Sequence, residues 1–167
     1  MRTRTAAVIS AAWFLVPVIV TYGIPYLLTR WETSVDWDNG WLLAPRVLAG
    51  VVIAGAAAFI IDAFVRFVRE GRGTPAPAAA PEHLVVTGPY RWVRNPMYCC
   101  VVSGILAQAL LLWRWPPLVY GLLVWSVFAS VVRFREEPFL RETHGEEFER
   151  YRAAVRAWIP RLRPWHG

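Results

Sequence analysis

The sequence predicts an all-α integral membrane protein of about four transmembrane helices with a cytoplasmic C-terminal amphipathic helix. Three observations predict it. Of the 167 residues, 56% are apolar and only 18% charged, with ten tryptophans, far from the balance of a soluble domain. Four apolar stretches approach the roughly 20 residues that a helix needs to cross about 30 Å of hydrocarbon. All eighteen basic residues are arginine, and they crowd onto one set of the loops between those stretches.

The first stretch, 6–28, follows Arg2 and Arg4. It is too long for the apolar core of a signal peptide and no small-residue cleavage site closes it, so it reads as a retained span. The second is 42–67. Asp62 near its end has Arg66 one turn on, the spacing of an ion pair whose long arm reaches the interface. Residues 71–81 (GRGTPAPAAAP) lack apolar periodicity and form a linker. Residues 83–96 (HLVVTGPYRWVRNP) are too polar to insert, and Gly88-Pro89 marks a turn. Spans three and four, 97–113 and 115–132, are separated by little more than Arg114, which demands a tight helical hairpin. In the tail, Thr143-His144-Gly145-Glu146 has the form of a capping box. It predicts a helix over about 144–158 with Phe148, Tyr151, Val155 and Trp158 on one face.

Arginines set the orientation, because positively charged loops stay cytoplasmic. One side carries Arg2, Arg4, Arg66, Arg69, Arg72, Arg91, Arg94 and every arginine of the tail; the other carries Arg30, Arg46 and Arg114. Both termini, the loop 68–96 and the tail 133–167 are therefore cytoplasmic, and 1–167 reads as a single membrane domain. Trp31, Trp37, Trp41, Trp113 and Trp115 fall at the opposite ends of the spans, where interfacial aromatics belong. Arginine without lysine suggests a GC-rich bacterial source, which makes the membrane the bacterial inner membrane.

Several classes drop out. The arginines flank apolar runs instead of forming one basic stripe, so no nucleic-acid partner is expected. Cys99 and Cys100 are adjacent, which rules out a disulfide framework. His83, His144 and His166 are scattered without ligand spacing, so no metal is expected.

Two polar clusters flank the hairpin on the cytoplasmic side: Gly88, Pro89, Tyr90, Arg91, Arg94, Asn95, Pro96 and Tyr98 before it, and Arg133, Arg135, Glu136 and Glu137 after it. The hairpin brings them together. Taken singly, the arginines also read as topology determinants or headgroup contacts, and Tyr90, Tyr98 and Tyr151 as interfacial aromatics. Adjacent helical positions point about 100° apart, so Glu136 and Glu137 reach different partners.

The stretches GPYRWVRNPMY and REEPFLRETHGEEFERYRAAVRAWIP, in that order around two spans, resemble the isoprenylcysteine carboxyl methyltransferase and phospholipid methyltransferase superfamily over about His83 to Pro160. The resemblance implies an S-adenosylmethionine-dependent methyltransferase whose cofactor pocket is capped by the tail, acting on a lipophilic acceptor within membrane lipids. It implies cofactor contacts from Gly88, Tyr90, Arg94, Asn95, Pro96, Tyr98, Glu136 and Glu137, with Arg94, Glu136 and Tyr151 in the chemistry. Three positions depart from the pattern: Asn95 stands where histidine is common and cannot titrate near neutral pH, Cys100 stands where glycine is common, and Phe148 where tyrosine is. The acceptor is an isoprenylcysteine-like carboxylate or another small hydrophobic molecule. Alternatives are a phospholipid amine N-methyltransferase, a membrane NADPH-dependent reductase and a non-catalytic scaffold.

Overall fold

The computed structural model describes residues 15–61 in full, the backbone of 62–70, residue 84, and 86–166. The start of the expected first span, the Asp62–Arg66 pair, the linker 71–81 and His83 lie outside the described residues. Helix α1 (Leu15–Thr29) contains a wide π-helical turn at Ile19–Gly23. It is followed by α2 (Leu43–Glu70), α3 (Pro96–Leu112) and α4 (Trp115–Val131). A second π-helical turn, Val132–Glu136, leads α4 into α5 (Glu137–Ala154). Among the described residues there is no strand.

Two helical stretches, Gly40–Ile61 and Trp115–Ala154, are long and apolar enough to cross a membrane; α1 and α3 are shorter apolar helices. Only 22% and 17% of the most apolar windows of the two long stretches are buried. A core helix of a soluble protein hides its apolar residues, whereas these present Leu43, Val51, Leu123 and Val127 outward, as a lipid-facing helix does.

The chain packs as two compact units. The first takes the described residues up to 70 together with Cys100–Val124. Its core holds Leu42, Ala49, Ala56, Ile60, Val101, Ile105 and Leu112. Small residues set the approach of its helices: a Cβ on Gly121 would lie 2.7 Å from Leu106 Cδ2, and one on Gly104 would lie 2.9 Å from Thr21 Cγ2. Small residues at such crossings let backbones close in, which is how helices pack where lipid offers no hydrophobic drive. Carbonyls of the π-helical turn in α1 accept side-chain donors, Val20 from the Tyr120 hydroxyl (3.1 Å) and Thr21 from Gln108 Nε2 (2.7 Å). Buried Arg46 folds the 33–37 loop around its guanidinium, donating to the carbonyls of Val35 (2.7 Å), Asp36 (2.9 Å) and Trp37 (3.1 Å) while lying 4.7 Å from the Trp37 ring.

The second unit takes the described residues from 84 to Cys99 and from Trp125 onward. Phe148, Tyr151 and Val155 form its core, with Leu84, Val86, Leu140 and Trp165 packed around them. The tail helix differs from the sequence expectation in the extra segment that precedes it and in where it ends. A first helical segment begins at Glu137, where the π-helical turn carries α4 on, and non-helical angles at Gly145 divide it from a second segment that starts close to the expected position near 144. The Thr143 hydroxyl donates backward to the Phe139 carbonyl at 2.9 Å and caps nothing, and the break comes at Gly145, whose φ of 49° and ψ of −122° kink the helix internally. The helix ends at Ala154, where Val155 turns extended (φ −117°, ψ 125°). Val155 still joins Phe148 and Tyr151, but Trp158 leaves that face and meets Tyr98 and Trp125 instead.

Candidate active site

Every residue of the candidate site lies in the second unit. Gly88 opens a short 3₁₀ turn, Gly88–Arg91, from the left-handed region at φ +56°, a conformation that costs glycine nothing and other residues about 1 kcal/mol or more. The turn delivers Arg94 and Asn95 to the start of α3, where buried Pro96 supplies the fixed φ that suits a first helical position. Tyr98 follows one turn of chain after Arg94.

Glu136 and Glu137 sit at the junction between the π-helical turn and α5. Their side chains diverge, and each reaches a different member of the Arg94–Tyr98 pair. Arg94 Nη1 donates to Glu137 Oε1 at 2.8 Å, and both side chains are only 12% exposed. The Tyr98 hydroxyl donates to Glu136 Oε1 at 2.5 Å. The Tyr98 ring stacks on Phe128 at 4.4 Å and faces Trp158 at 6.5 Å, which holds the hydroxyl in line with the carboxylate.

Ion pairs extend from this pair across the kink. Glu137 Oε2 lies 3.5 Å from Arg152 Nε, Arg152 Nη1 lies 3.4 Å from Glu149 Oε2, and Glu149 Oε1 accepts from Arg141 Nε at 2.5 Å. The hydrogen bond from Arg141 is the first reason that the Glu149 carboxyl titrates below its ordinary range. Arg94 Nε is buried without a hydrogen-bond partner. Beside it opens a cavity of about 390 Å³ lined by Arg94, Glu149, Arg152, Ala153, Arg156 and Ala157. Three guanidiniums and one carboxylate make its walls complementary to a small molecule carrying both an anionic and a cationic group.

The other expected residues take different places. The Tyr151 hydroxyl donates to the Tyr90 carbonyl at 2.7 Å. Burial, opposed by the positive charge of Arg94, pushes that hydroxyl up to about 12, so it stays neutral at physiological pH. Tyr90 is raised as well, by burial and then by the negative charge of Glu136. The Asn95 side chain donates to the Ala157 carbonyl at 3.1 Å. Gly88 is exposed, as are Arg133 and Arg135. Arg91 turns to the end of the chain, where its Nε donates to the Trp165 carbonyl at 2.8 Å and its Nη2 meets His166. Among the described residues, no three His, Cys, Asp or Glu side chains come together as a metal site.

The structure thus joins Arg94, Tyr98, Glu136 and Glu137 directly and attaches Tyr151 through Tyr90. Sequence reasoning missed Glu149, Arg152 and Arg156 as cavity walls. The Glu149–Arg152 spacing of three residues was the available signal, since such pairs share a helix face.

The phospholipid methyltransferase family model matches residues 46–147. That span includes Arg94, Tyr98, Glu136 and Glu137. The chain is also similar to the protein-S-isoprenylcysteine O-methyltransferase of Schizosaccharomyces pombe (strain 972 / ATCC 24843), with 33% identity over 81 residues, covering 47% of this chain and 34% of that protein. The chain therefore spans about a third of the length of that curated relative. With more than half of its residues inside the matched model, the chain belongs to the phospholipid methyltransferase family.

Proposed function

We propose that the protein is a four-span membrane methyltransferase that moves a methyl group from S-adenosylmethionine to a lipophilic, membrane-partitioned acceptor at the cytoplasmic face. The observation that carries this reading is the pairing of Arg94 with Glu137 and of Tyr98 with Glu136 inside the family-matched stretch, with Arg94 also lining a cavity together with Arg152 and Arg156. A volume of about 390 Å³ falls within the roughly 300–1,000 Å³ that small-molecule sites occupy.

The residues present fit the cofactor. Arg94, Arg152 and Arg156 offer guanidinium donors for its carboxylate, and the buried Arg94 Nε supplies a donor that the protein leaves without a partner. Glu149 offers an acceptor for its ammonium. Tyr90, Tyr98, Glu136 and Glu137 complete the surroundings, with Gly88 and Pro96 shaping the chain that carries them. When bound, S-adenosylmethionine supplies a methyl carbon already activated on a sulfonium, so an acceptor lone pair forms the new bond as the carbon–sulfur pair returns to sulfur. The chain's own residues position rather than activate, and holding reacting atoms about 3–3.5 Å apart in line removes much of the barrier. A carboxylate or thiolate acceptor needs no base. An amine acceptor must lose a proton, for which Glu136, whose Oε1 accepts from the Tyr98 hydroxyl, is the candidate carboxylate. Tyr151 acts through the Tyr90 carbonyl and supports the loop.

The acceptor named by the relative, an isoprenylcysteine, is the first class to test; a phospholipid, the class that the family's description names, is the second, with its amine as the proposed methylated group. Purified protein is incubated with S-adenosyl-[methyl-³H]methionine and, in separate reactions, a farnesylated cysteine, phosphatidylethanolamine and a total membrane lipid extract. Label is expected in an organic-soluble product of one arm and absent with Arg94→Ala. Absence of transfer in every arm, together with tight NADPH binding, would replace this reading with that of a reductase. Absence of transfer with neither cofactor bound would replace it with that of a scaffold.

A further inference from the structure

The segment after α5 leaves the helix at Val155 and runs back along the loop and the first turn of α3. Three consecutive carbonyls of this segment are each held from that side. Arg156 O accepts from the Arg94 amide at 2.9 Å, Ala157 O from Asn95 Nδ2 at 3.1 Å, and Trp158 O from Cys99 Sγ at 3.6 Å. Farther on, the Arg161 amide donates to Trp92 O and the Trp165 amide to Arg91 O, both at 2.9 Å. The segment is a strap, docked chiefly through its backbone. It lies beyond the stretch that the family model matches, which ends at residue 147.

Arg156 and Ala157 of the strap also line the cavity, together with Arg94, Glu149 and Arg152. Of the contacts that hold this wall, Asn95 Nδ2 to Ala157 O is the one made by a neutral side-chain amide, which needs both its donor hydrogens and its position at the mouth of α3. We propose that Asn95 is a positioning residue: its amide fixes the strap, and thereby the Arg156–Ala157 wall of the cavity, without itself touching the ligand. An aspartate there has no donor and sets a negative charge against a carbonyl oxygen; an imidazole keeps an N–H and can replace the contact.

The test uses the full-length purified protein and rests on the methyl-transfer reading only in its second arm. In the first arm, without cofactor, limited trypsin digestion follows cleavage at Arg156–Ala157 and Arg161–Leu162 by mass spectrometry. Asn95→Ala and Asn95→Asp are expected to cleave there about five- to tenfold faster than the wild type, the fold-change that the loss of one net hydrogen bond implies, and Asn95→His to return most of the way. In the second arm, S-adenosylmethionine KM is expected to rise by a similar factor in Asn95→Ala and Asn95→Asp with kcat changed less than twofold, and to recover in Asn95→His. Weaker cofactor affinity in Asn95→Ala with cleavage at the wild-type rate would make Asn95 a direct ligand and overturn the proposal, as would unchanged cleavage and unchanged KM together. If the wild type binds no S-adenosylmethionine at all, the functional reading fails while the cleavage arm still decides the role of Asn95.

Discussion

Arg94 and Glu137, 43 residues apart in sequence, meet at 2.8 Å with both side chains nearly buried. Such a pair is costly to assemble and more costly to halve, since removing one partner strands a charge in a poorly solvated place. The two halves are not equivalent. Without Arg94, Glu137 still has Arg152 at 3.5 Å; without Glu137, Arg94 loses its one ion-pair partner among the described residues. Glu137→Ala is therefore expected to destabilise the protein by about 3 kcal/mol and Arg94→Ala by about half of that. Thermal unfolding in detergent checks the order, and a double-mutant cycle checks the coupling. Equal losses with no coupling would remove the pair from the account.

Tyr98→Phe keeps the ring stacked on Phe128 and deletes only the hydroxyl that donates to Glu136. A hydrogen bond to a charged group contributes about 1.5–3 kcal/mol to stability, so the melting temperature is expected to fall by several degrees and methyl transfer to fall about tenfold in kcat/KM in the protein that remains folded. Tyr98→Ala, which also removes the stacking, is expected to unfold at still lower temperature. Wild-type kcat/KM in Tyr98→Phe would free Glu136 from this partner.

The placement of these contacts was partly legible in the sequence. Apolar runs predicted the helices, and the short Arg114 connection implied that 88–98 and 136–137 share one end of a hairpin. The strap was not legible, because its partners are backbone carbonyls, and any residue at 156, 157 or 158 presents the same oxygen. The break at Gly145 was partly legible: Thr143-x-x-Glu146 marks a helix start and a second helical segment begins there, although the threonine hydroxyl bonds one turn back to the Phe139 carbonyl. The π-helical turn at 132–136 carries no composition of its own, and nothing in its residues announced that α4 would continue into α5.

Tyr151 ionises at about 12 in the folded protein against about 10 in an unfolded chain. Between those values the unfolded state has released a proton that the folded state still holds, so stability falls as pH rises from about 10 to 12 and is unaffected by this group below 10. Tyr90, also raised, adds to the same slope. Tyr151→Phe is expected to flatten the alkaline decline in denaturation midpoint while leaving the pH–rate profile near neutrality unchanged. A new shift of that profile in the neutral range would give Tyr151 a proton-transfer role that its burial opposes.

Gly145 has open space where a Cβ would stand, so a substitution is penalised by its backbone angles and not by a clash. Gly145→Ala is expected to cost about 1–3 kcal/mol and to loosen the Arg141–Glu149 and Glu137–Arg152 pairs that span the kink. Thermal unfolding measures the first effect. A stabilised Gly145→Ala protein would mean that the helix prefers to run straight.

The most direct test of the proposal that the cavity beside Arg94 holds the cofactor is equilibrium binding of S-adenosylmethionine to the purified protein and to its folded Arg94→Ala variant. Saturable one-to-one binding is expected, weakened by at least tenfold in the variant. Saturable binding of equal strength in both proteins would contradict it.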